Sequence, residues 1–161
     1  MADLSVYRAN VGIVLFNAAG QVWLGQRAHT NGPYVWQFPQ GGIDDGEDLF
    51  TAALRELAEE TGVTSVSYLG RTKGWITYDF PVDYAGSKAA RGWKGQKQAW
   101  FALRFTGEDP EIRLDAHHEP EFETWRWANL AEAPDLVVPF KRGAYKKVIK
   151  AFRQFAPRRA R

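Results

Sequence analysis

The 161 residues include no cysteine, which excludes disulfides and thiol nucleophiles and suits a chain working in a reducing compartment. No apolar run approaches the roughly 18 residues of a membrane-spanning helix. The opening MADLSVYR has no basic start leading into an apolar stretch, so it does not read as a secretory leader. Internal repeats are absent as well. A cytoplasmic protein with no membrane partner is the expectation. With 45% apolar residues the chain is long enough for one domain with a proper core, spanning residues 1 to 161, and too short for two of ordinary size.

Acidic residues are missing from residues 141 to 161. That stretch holds Lys141, Arg142, Lys146, Lys147, Lys150, Arg153, Arg158, Arg159 and Arg161. Only 12 of the 21 basic residues are then left to face all 19 acidic ones, so the body is net −7 and the tail +9 beneath an overall charge of +2. The tail is a separate electrostatic element, suited to a polyanion.

What is present is concentrated in residues 41 to 63, GGIDDGEDLFTAALRELAEETGV. A glycine pair, Gly41 and Gly42, precedes Glu47; then come Arg55 and Glu56, Glu59 and Glu60, and Gly62, with apolar Leu57 and Val63. Such a set arises by chance in on the order of one chain in ten million at average composition. A glutamate-rich helix face is ordinarily a solvated surface, but that rarity sets the ordinary explanation aside.

At about 100° per residue, Glu56, Glu59 and Glu60 fall within an arc of about 100° on one helix. Three carboxylates so close repel and raise one another's pKa unless cations intervene, and Mg²⁺ or Mn²⁺ are the natural partners of an all-oxygen set. Leu49, Phe50, Ala53, Leu54 and Leu57 lie on the neighbouring face, so the helix can pack on a core while presenting the carboxylates sideways. Ala52 leaves room among them. The Asp44-Asp45-Gly46 turn, Glu47 and Asp48 suit its N-terminus and Gly62 its stop. Gly41 and Gly42 would let the backbone approach a phosphate.

This segment resembles the Nudix box, the signature of hydrolases that cleave a nucleoside diphosphate linked to a further group. The resemblance implies an α/β fold, a Nudix-type α/β/α sandwich with a mixed sheet flanked by helices. It also implies that Arg55 pairs with Glu47 to hold the loop-helix-loop in shape, as structural support together with Gly62.

The remaining pattern is rich in strands. Residues 9 to 16 form an apolar, β-branched run, and residues 22 to 27 are expected as its hairpin partner. Further strands are expected at 36 to 38, 66 to 69, 75 to 80, 99 to 105 and 122 to 127. A helix over about 141 to 155 is amphipathic, with Ala144, Tyr145, Val148, Ile149, Phe152 and Phe155 on one face and cations on the other. Residues 157 to 161 read as a frayed end. Most of the 7 tryptophans are expected in the core, Trp125 and Trp127 sharing one strand face.

Four other segments, YRANVGIVLFN, WQFPQGGI, GQKQAWFAL and PEFETWRW followed by VPFKRGAYKKV, extend the resemblance over almost the whole chain, to the bacterial RNA pyrophosphohydrolase branch, whose relatives hydrolyse diadenosine polyphosphates. The resemblance implies removal of pyrophosphate from triphosphorylated RNA 5′ ends, which leaves a monophosphate and starts decay. It makes Glu56, Glu59, Glu60 and Glu121 metal ligands and Glu56 the catalytic residue. Arg8, Gln96, Val138, Phe140 and Lys141 match positions that contact the 5′ nucleotides or phosphates. Arg8 can fork onto phosphate oxygens, Lys141 adds a point charge, and Phe140 can stack a base. Taken alone, Arg8 and Lys141 would be solvated cations and Phe140 a core aromatic.

The sequence departs from the branch in the loop at 29 to 35, which is longer and carries Asn31-Gly32-Pro33-Tyr34 where a small polar residue near the RNA is expected. Residues 82 to 95, with Lys88, Arg91 and Lys94 against Asp83, fit a lid over the RNA backbone or a solvated loop equally. His117 and His118 lack further ligand spacing and read as polar loop residues.

The expected chemistry is in-line attack of water on phosphorus, with divalent cations held by the four glutamates and either Glu56 or Glu60 as general base. The expected partner is an RNA 5′ end, not DNA. The rivals are a dinucleoside polyphosphate hydrolase, an enzyme that clears damaged dNTPs, and a non-catalytic Nudix domain that binds RNA; the intact glutamates speak against the last.

Overall fold

The β-branched run near the N-terminus becomes the spine of the sheet. In the computed structural model, which describes residues 3–82, 92–116 and 119–157, strand β1 (Tyr7–Phe16) runs parallel to β7 (Gly95–Phe105), in register from Tyr7↔Gly95 to Phe16↔Arg104. Parallel pairing of this kind is stable where both faces are covered. Val11, Ile13, Val14, Leu15 and Phe16 are accordingly all fully buried.

Strand β2 (Val22–Arg27) follows a turn in which Asn17 Oδ1 accepts from the amides of Ala19 and Gln21. The expected hairpin opens at once, because β1 and β2 share only the pair Phe16↔Val22. The edge of β1 that β2 would have used is taken by β4 (Gln40–Gly42), paired from Asn10↔Gly42 to Gly12↔Gln40. Strand β2 instead lies antiparallel to β8 (Phe122–Ala128) on one side and to β3 (Trp36–Gln37) on the other. Strands β5 (Val66–Arg71) and β6 (Ile76–Asp79) both pair antiparallel with β7, one along each half.

Side chains alternate across β1, so two cores form on opposite faces of the sheet. Ile13 and Leu15 pack with Ala52, Ala53 and Leu57 of helix α1 (Leu49–Thr61). Val14 and Phe16 pack with Ala144, Tyr145, Val148 and Phe152 of helix α3 (Arg142–Phe152). Sheet and helices thus make the expected mixed α/β/α arrangement. Trp125 and Trp127 lie half-buried on the α1 side, their rings 5.6 Å apart, with Trp125 stacked on Trp23.

Helix α2 (Ala133–Leu136) was not expected; four residues carry no periodicity, and its signal is the capping box of Asn129 and Glu132 just before it. Helix α3 is shorter than its amphipathic pattern because 3₁₀ turns flank it at Pro139–Lys141 and Arg153–Phe155. Residues 83 to 91 of the expected lid, His117 and His118, and residues 158 to 161 of the tail lie outside the described residues. Among the described residues no helix is long and apolar enough to cross a membrane.

One buried hydrogen bond ties α3 to the sheet next to the glycine segment: the amide of Phe38 donates to the Tyr145 hydroxyl at 2.9 Å. Tyr145→Phe leaves that amide unpaired in the core and should lower unfolding free energy by about 1–3 kcal/mol in urea titrations, with the circular dichroism spectrum unchanged.

Candidate active site

The loop before α1 turns at Gly46, whose φ of 73° favours glycine, and Glu47 and Asp44 exchange backbone and side-chain bonds across it. Asp48 caps the helix by accepting from the Thr51 amide, and Gly62, in the left-handed conformation, ends it. Arg55 reaches back from the helix. Its Nε and Nη2 hold the two oxygens of Glu47 at 2.8 and 2.9 Å, and Nη2 also reaches the Gly42 carbonyl at 3.0 Å. Its Nη1 holds Glu56 at 3.0 Å and Glu59 at 3.2 Å. The Arg55 hydrogen bonds, followed by the Asp44 amide, bring Glu47 down to about 2. The sequence marked Arg55 as support for Glu47; the structure adds that it offsets the charge of two further carboxylates.

Those carboxylates line a cavity of about 160 Å³ with Glu60, Glu119 and Glu121. Glu60 is 9% exposed and accepts from the Gln40 amide at 3.3 Å. Burial first, then the charges of Glu56 and Glu121, push the Glu60 carboxyl well above the ordinary range. Burial likewise raises Glu56, against the pull of hydrogen bonds from Glu60 and Arg55. Gly41 lies against Glu56: a Cβ there would sit 2.0 Å from the carboxylate carbon. The room left by this missing side chain is therefore used by Glu56 itself. Glu119 was not singled out in the sequence; it lies in the bent segment before β8, where no periodicity marks it.

Among the described residues no three acidic or histidine side chains are already closed around one point. The donor set nevertheless fits a hard divalent cation. It consists of carboxylate oxygens alone, and its innermost member, Glu60, is buried beside two further carboxylates, an arrangement that added positive charge relieves.

The other expected site residues form a connected series that reaches the carboxylates of this cavity through Lys141. Arg8 is exposed, with Nη2 2.9 Å from where a Gly42 Cβ would be. Across the β1–β7 pair Arg8 is in register with Gln96, which is buried and accepts from the Tyr78 hydroxyl at 2.5 Å. Lys141 Nζ stands 5.6 Å from the Tyr78 ring centre and donates to Gln37 at 3.2 Å. Far from being a solvated cation, Lys141 is only 8% exposed. Burial, and then Arg27, lower its pKa to about 8, while Glu121 and Glu60 oppose the fall. Val138 accepts from the Lys141 amide in the 3₁₀ turn, and the half-buried Phe140 ring lies 5.7 Å from Tyr78 and 6.4 Å from Phe80.

Two opposite pH dependences follow. A carboxyl raised by folding, such as Glu60, holds its proton more tightly in the native state and costs stability as pH rises above the unfolded value near 4.3. Glu47, lowered by folding, contributes stability above that value and loses it as pH falls toward about 2. Without divalent cation, Glu60→Gln should therefore melt no lower than wild type at pH 7 and lose less stability than wild type as pH rises above about 4.3. Glu47→Gln should melt lower at pH 7, the difference closing toward pH 2. Calorimetric scans across this range check both.

Comparison with known proteins fits this geometry. A family profile described as NUDIX domain matches residues 6–150. A curated protein of Caulobacter vibrioides named RNA pyrophosphohydrolase is 63% identical over 155 residues, covering 96% of this chain and 90% of its own length. One of the same name from Acidiphilium cryptum is 52% identical, covering 93% and 92%. Among solved structures, the E. coli dihydroneopterin triphosphate pyrophosphohydrolase aligns with a TM-score of 0.68 at 19% identity, covering 90% of this chain and 98% of its own. A C. elegans Ap4A hydrolase aligns at 0.63 and 22%, covering 91% and 98%. At such identities the structural likenesses bear on the fold.

Proposed function

The chain belongs to the Nudix family, and on that premise we propose that it is an RNA 5′ pyrophosphohydrolase, which removes pyrophosphate from triphosphorylated RNA and leaves a 5′ monophosphate. The observation that carries this reading is that the carboxylate cavity of Glu56, Glu59, Glu60 and Glu121 is met by cations from two directions: Lys141, whose charge Glu60 and Glu121 support, and Arg8, set against Gly42 next to the Gly41 on which Glu56 lies. The name shared by relatives at 63% and 52% identity supports it. We read residues 1 to 161 as one domain with a basic C-terminal helix and tail, acting in the cytoplasm.

Mg²⁺ or Mn²⁺ held by the four glutamates would supply charge neutralisation at the phosphate oxygens and lower the pKa of a water. The chain's own residues do the rest. Glu56, whose hold on a proton burial strengthens, takes the proton of the attacking water, and Glu60, held by the Gln40 amide, keeps the cluster aligned. Arg55 restrains Glu56 and Glu59 without entering the reaction. Arg8 grips phosphate oxygens, Lys141 presents a largely buried charge, and the half-buried Phe140 stacks the first base.

Glu56→Gln and Glu60→Gln should each lower turnover by at least about two orders of magnitude with the fold intact. Near-wild-type rates in both variants would remove the assignment. Triphosphorylated RNA, diadenosine tetraphosphate and free NTPs should be assayed side by side. The proposal expects RNA to be preferred, whereas a preference for the dinucleotide establishes the rival reading.

Grip and platform separate by salt. Binding of a triphosphorylated oligonucleotide to Glu56→Gln protein should weaken with salt by about 0.7 log units per log unit for each phosphate contacted. Arg8→Ala should flatten that slope. Phe140→Ala should weaken binding by about 1–3 kcal/mol and leave the slope alone, as titrations over a salt series would reveal.

A further inference from the structure

The loop at 29 to 35 rises from the rim of the carboxylate cavity. Just before it the amide of Ala28 donates to the backbone carbonyl of Glu121 at 2.9 Å, and the loop is closed at its base by the bond from the Arg27 amide to the Val35 carbonyl at 3.0 Å. From the end of the loop into β3 burial alternates, with Tyr34 and Trp36 on one side and buried Val35 and Gln37 on the other. Both rings on the first side carry an arginine. The Arg126 guanidinium lies 4.9 Å from the Trp36 ring centre and that of Arg142 5.5 Å from the Tyr34 ring centre.

The two pairs differ in what they leave open. Trp36 is half-buried and packs against the core, whereas Tyr34 is 44% exposed even with a guanidinium against it. The guanidinium is itself fixed, because Arg142 Nε donates to the Pro134 carbonyl at 2.7 Å. An aromatic face so held offers a flat, pre-positioned surface at little further cost in side-chain entropy. Arg142 immediately follows Lys141, and one turn along α3 the exposed Lys146 continues the positive charge.

We propose that Tyr34 and Arg142 form a stacking subsite for a base of the RNA strand downstream of the 5′ nucleotide, with Arg142 and Lys146 flanking its phosphates. This rests on the reading that the substrate is RNA. A base fits better than an isolated phosphate, since the exposed element is a π face, and every base has a π face to match. The subsite makes the enzyme sensitive to the length of the RNA beyond the nucleotides that Phe140 and Arg8 engage.

The test measures KM and kcat of wild type, Tyr34→Ala and Tyr34→Trp on 5′-triphosphorylated RNAs from dinucleotide to hexanucleotide, and on diadenosine tetraphosphate. A hexanucleotide with one abasic residue moved along the strand completes the set. Tyr34→Ala should raise KM on the hexanucleotide at least about fivefold, with kcat within about twofold. Tyr34→Trp should restore it, and dinucleotide and diadenosine tetraphosphate kinetics should not change. At one downstream position the abasic residue should raise the wild-type KM to that of Tyr34→Ala and leave Tyr34→Ala unaffected. Tyr34 serves better than Arg142 as the target, because loss of Arg142 also frees the Pro134 carbonyl. Equal KM for Tyr34→Ala and wild type on every RNA, no such abasic position, or an equal loss on the dinucleotide overturns this inference alone. Wild-type protein that hydrolyses no RNA overturns the proposed function and takes the subsite with it.

Discussion

Everything at the site depends on one guanidinium. Arg55 binds Glu47 with two nitrogens, the Gly42 carbonyl with one of these, and Glu56 and Glu59 with its third. It thereby joins the glycine segment, the turn and the helix at a single planar group. A lysine at this place would offer one point charge and no fork, so it could not hold the turn and the helix carboxylates in fixed relation. The same contacts answer an electrostatic need. Carboxylates at one-turn spacing repel, and α1 gathers three of them beside two more from the segment that leads into β8. Arg55 offsets part of that repulsion from the outer side, while Glu60, on the inner side, is bonded to the Gln40 amide and Glu56.

The site is therefore held together against its own charge, with stability and function drawing on different residues. Glu47 and Arg55 favour folding, whereas Glu60 opposes it wherever it is ionised. Lys141 is a second group of this kind: its pKa, lowered to about 8, means that folding disfavours its charged form below that pH. Two buried groups of opposite sign, each costly alone, face the same region and partly offset each other, as the effect of Glu60 and Glu121 on Lys141 records. A substrate that brings phosphate oxygens to Lys141, together with cations at the glutamates, would relieve both costs at once.

Much of this was legible in the sequence because it is local. The helix, its cap at Asp48, its stop at Gly62 and the grouping of Glu56, Glu59 and Glu60 follow from spacing within a single turn-helix segment, and the strands from apolar alternation. What was not legible depends on partners distant in sequence. The hairpin expected of β1 and β2 opens because β4, reached through a loop and β3, takes the free edge of β1. Gly41 accommodates Glu56 from a different element, and Lys141 is buried by its contacts with Gln37 and Tyr78. In a run of cations no periodicity distinguishes the one that points inward. Tyr34 was visible as a departure in its loop, but its pairing with Arg142 belongs to the tertiary structure.

The relation between cavity and basic lane finally rests on register. Arg8 stands beside Gln96 because β1 and β7 are parallel and in step, and a slip of one residue would turn every side chain of β1 to the opposite face. Apolar packing alone guards poorly against such a slip here, since both faces of β1 are apolar and buried. The buried amides supply the missing discrimination. Gln98 donates to Asn10, its register partner, at 2.7 Å and to Gln40 of β4 at 3.4 Å, and accepts from the Trp100 indole at 3.2 Å. Any other register would leave these polar groups unpaired in the core, at about 1–3 kcal/mol each. The network that fixes the strands is thus also what sets Arg8 over Gly42, and its third strand is the one whose Gln40 amide holds Glu60.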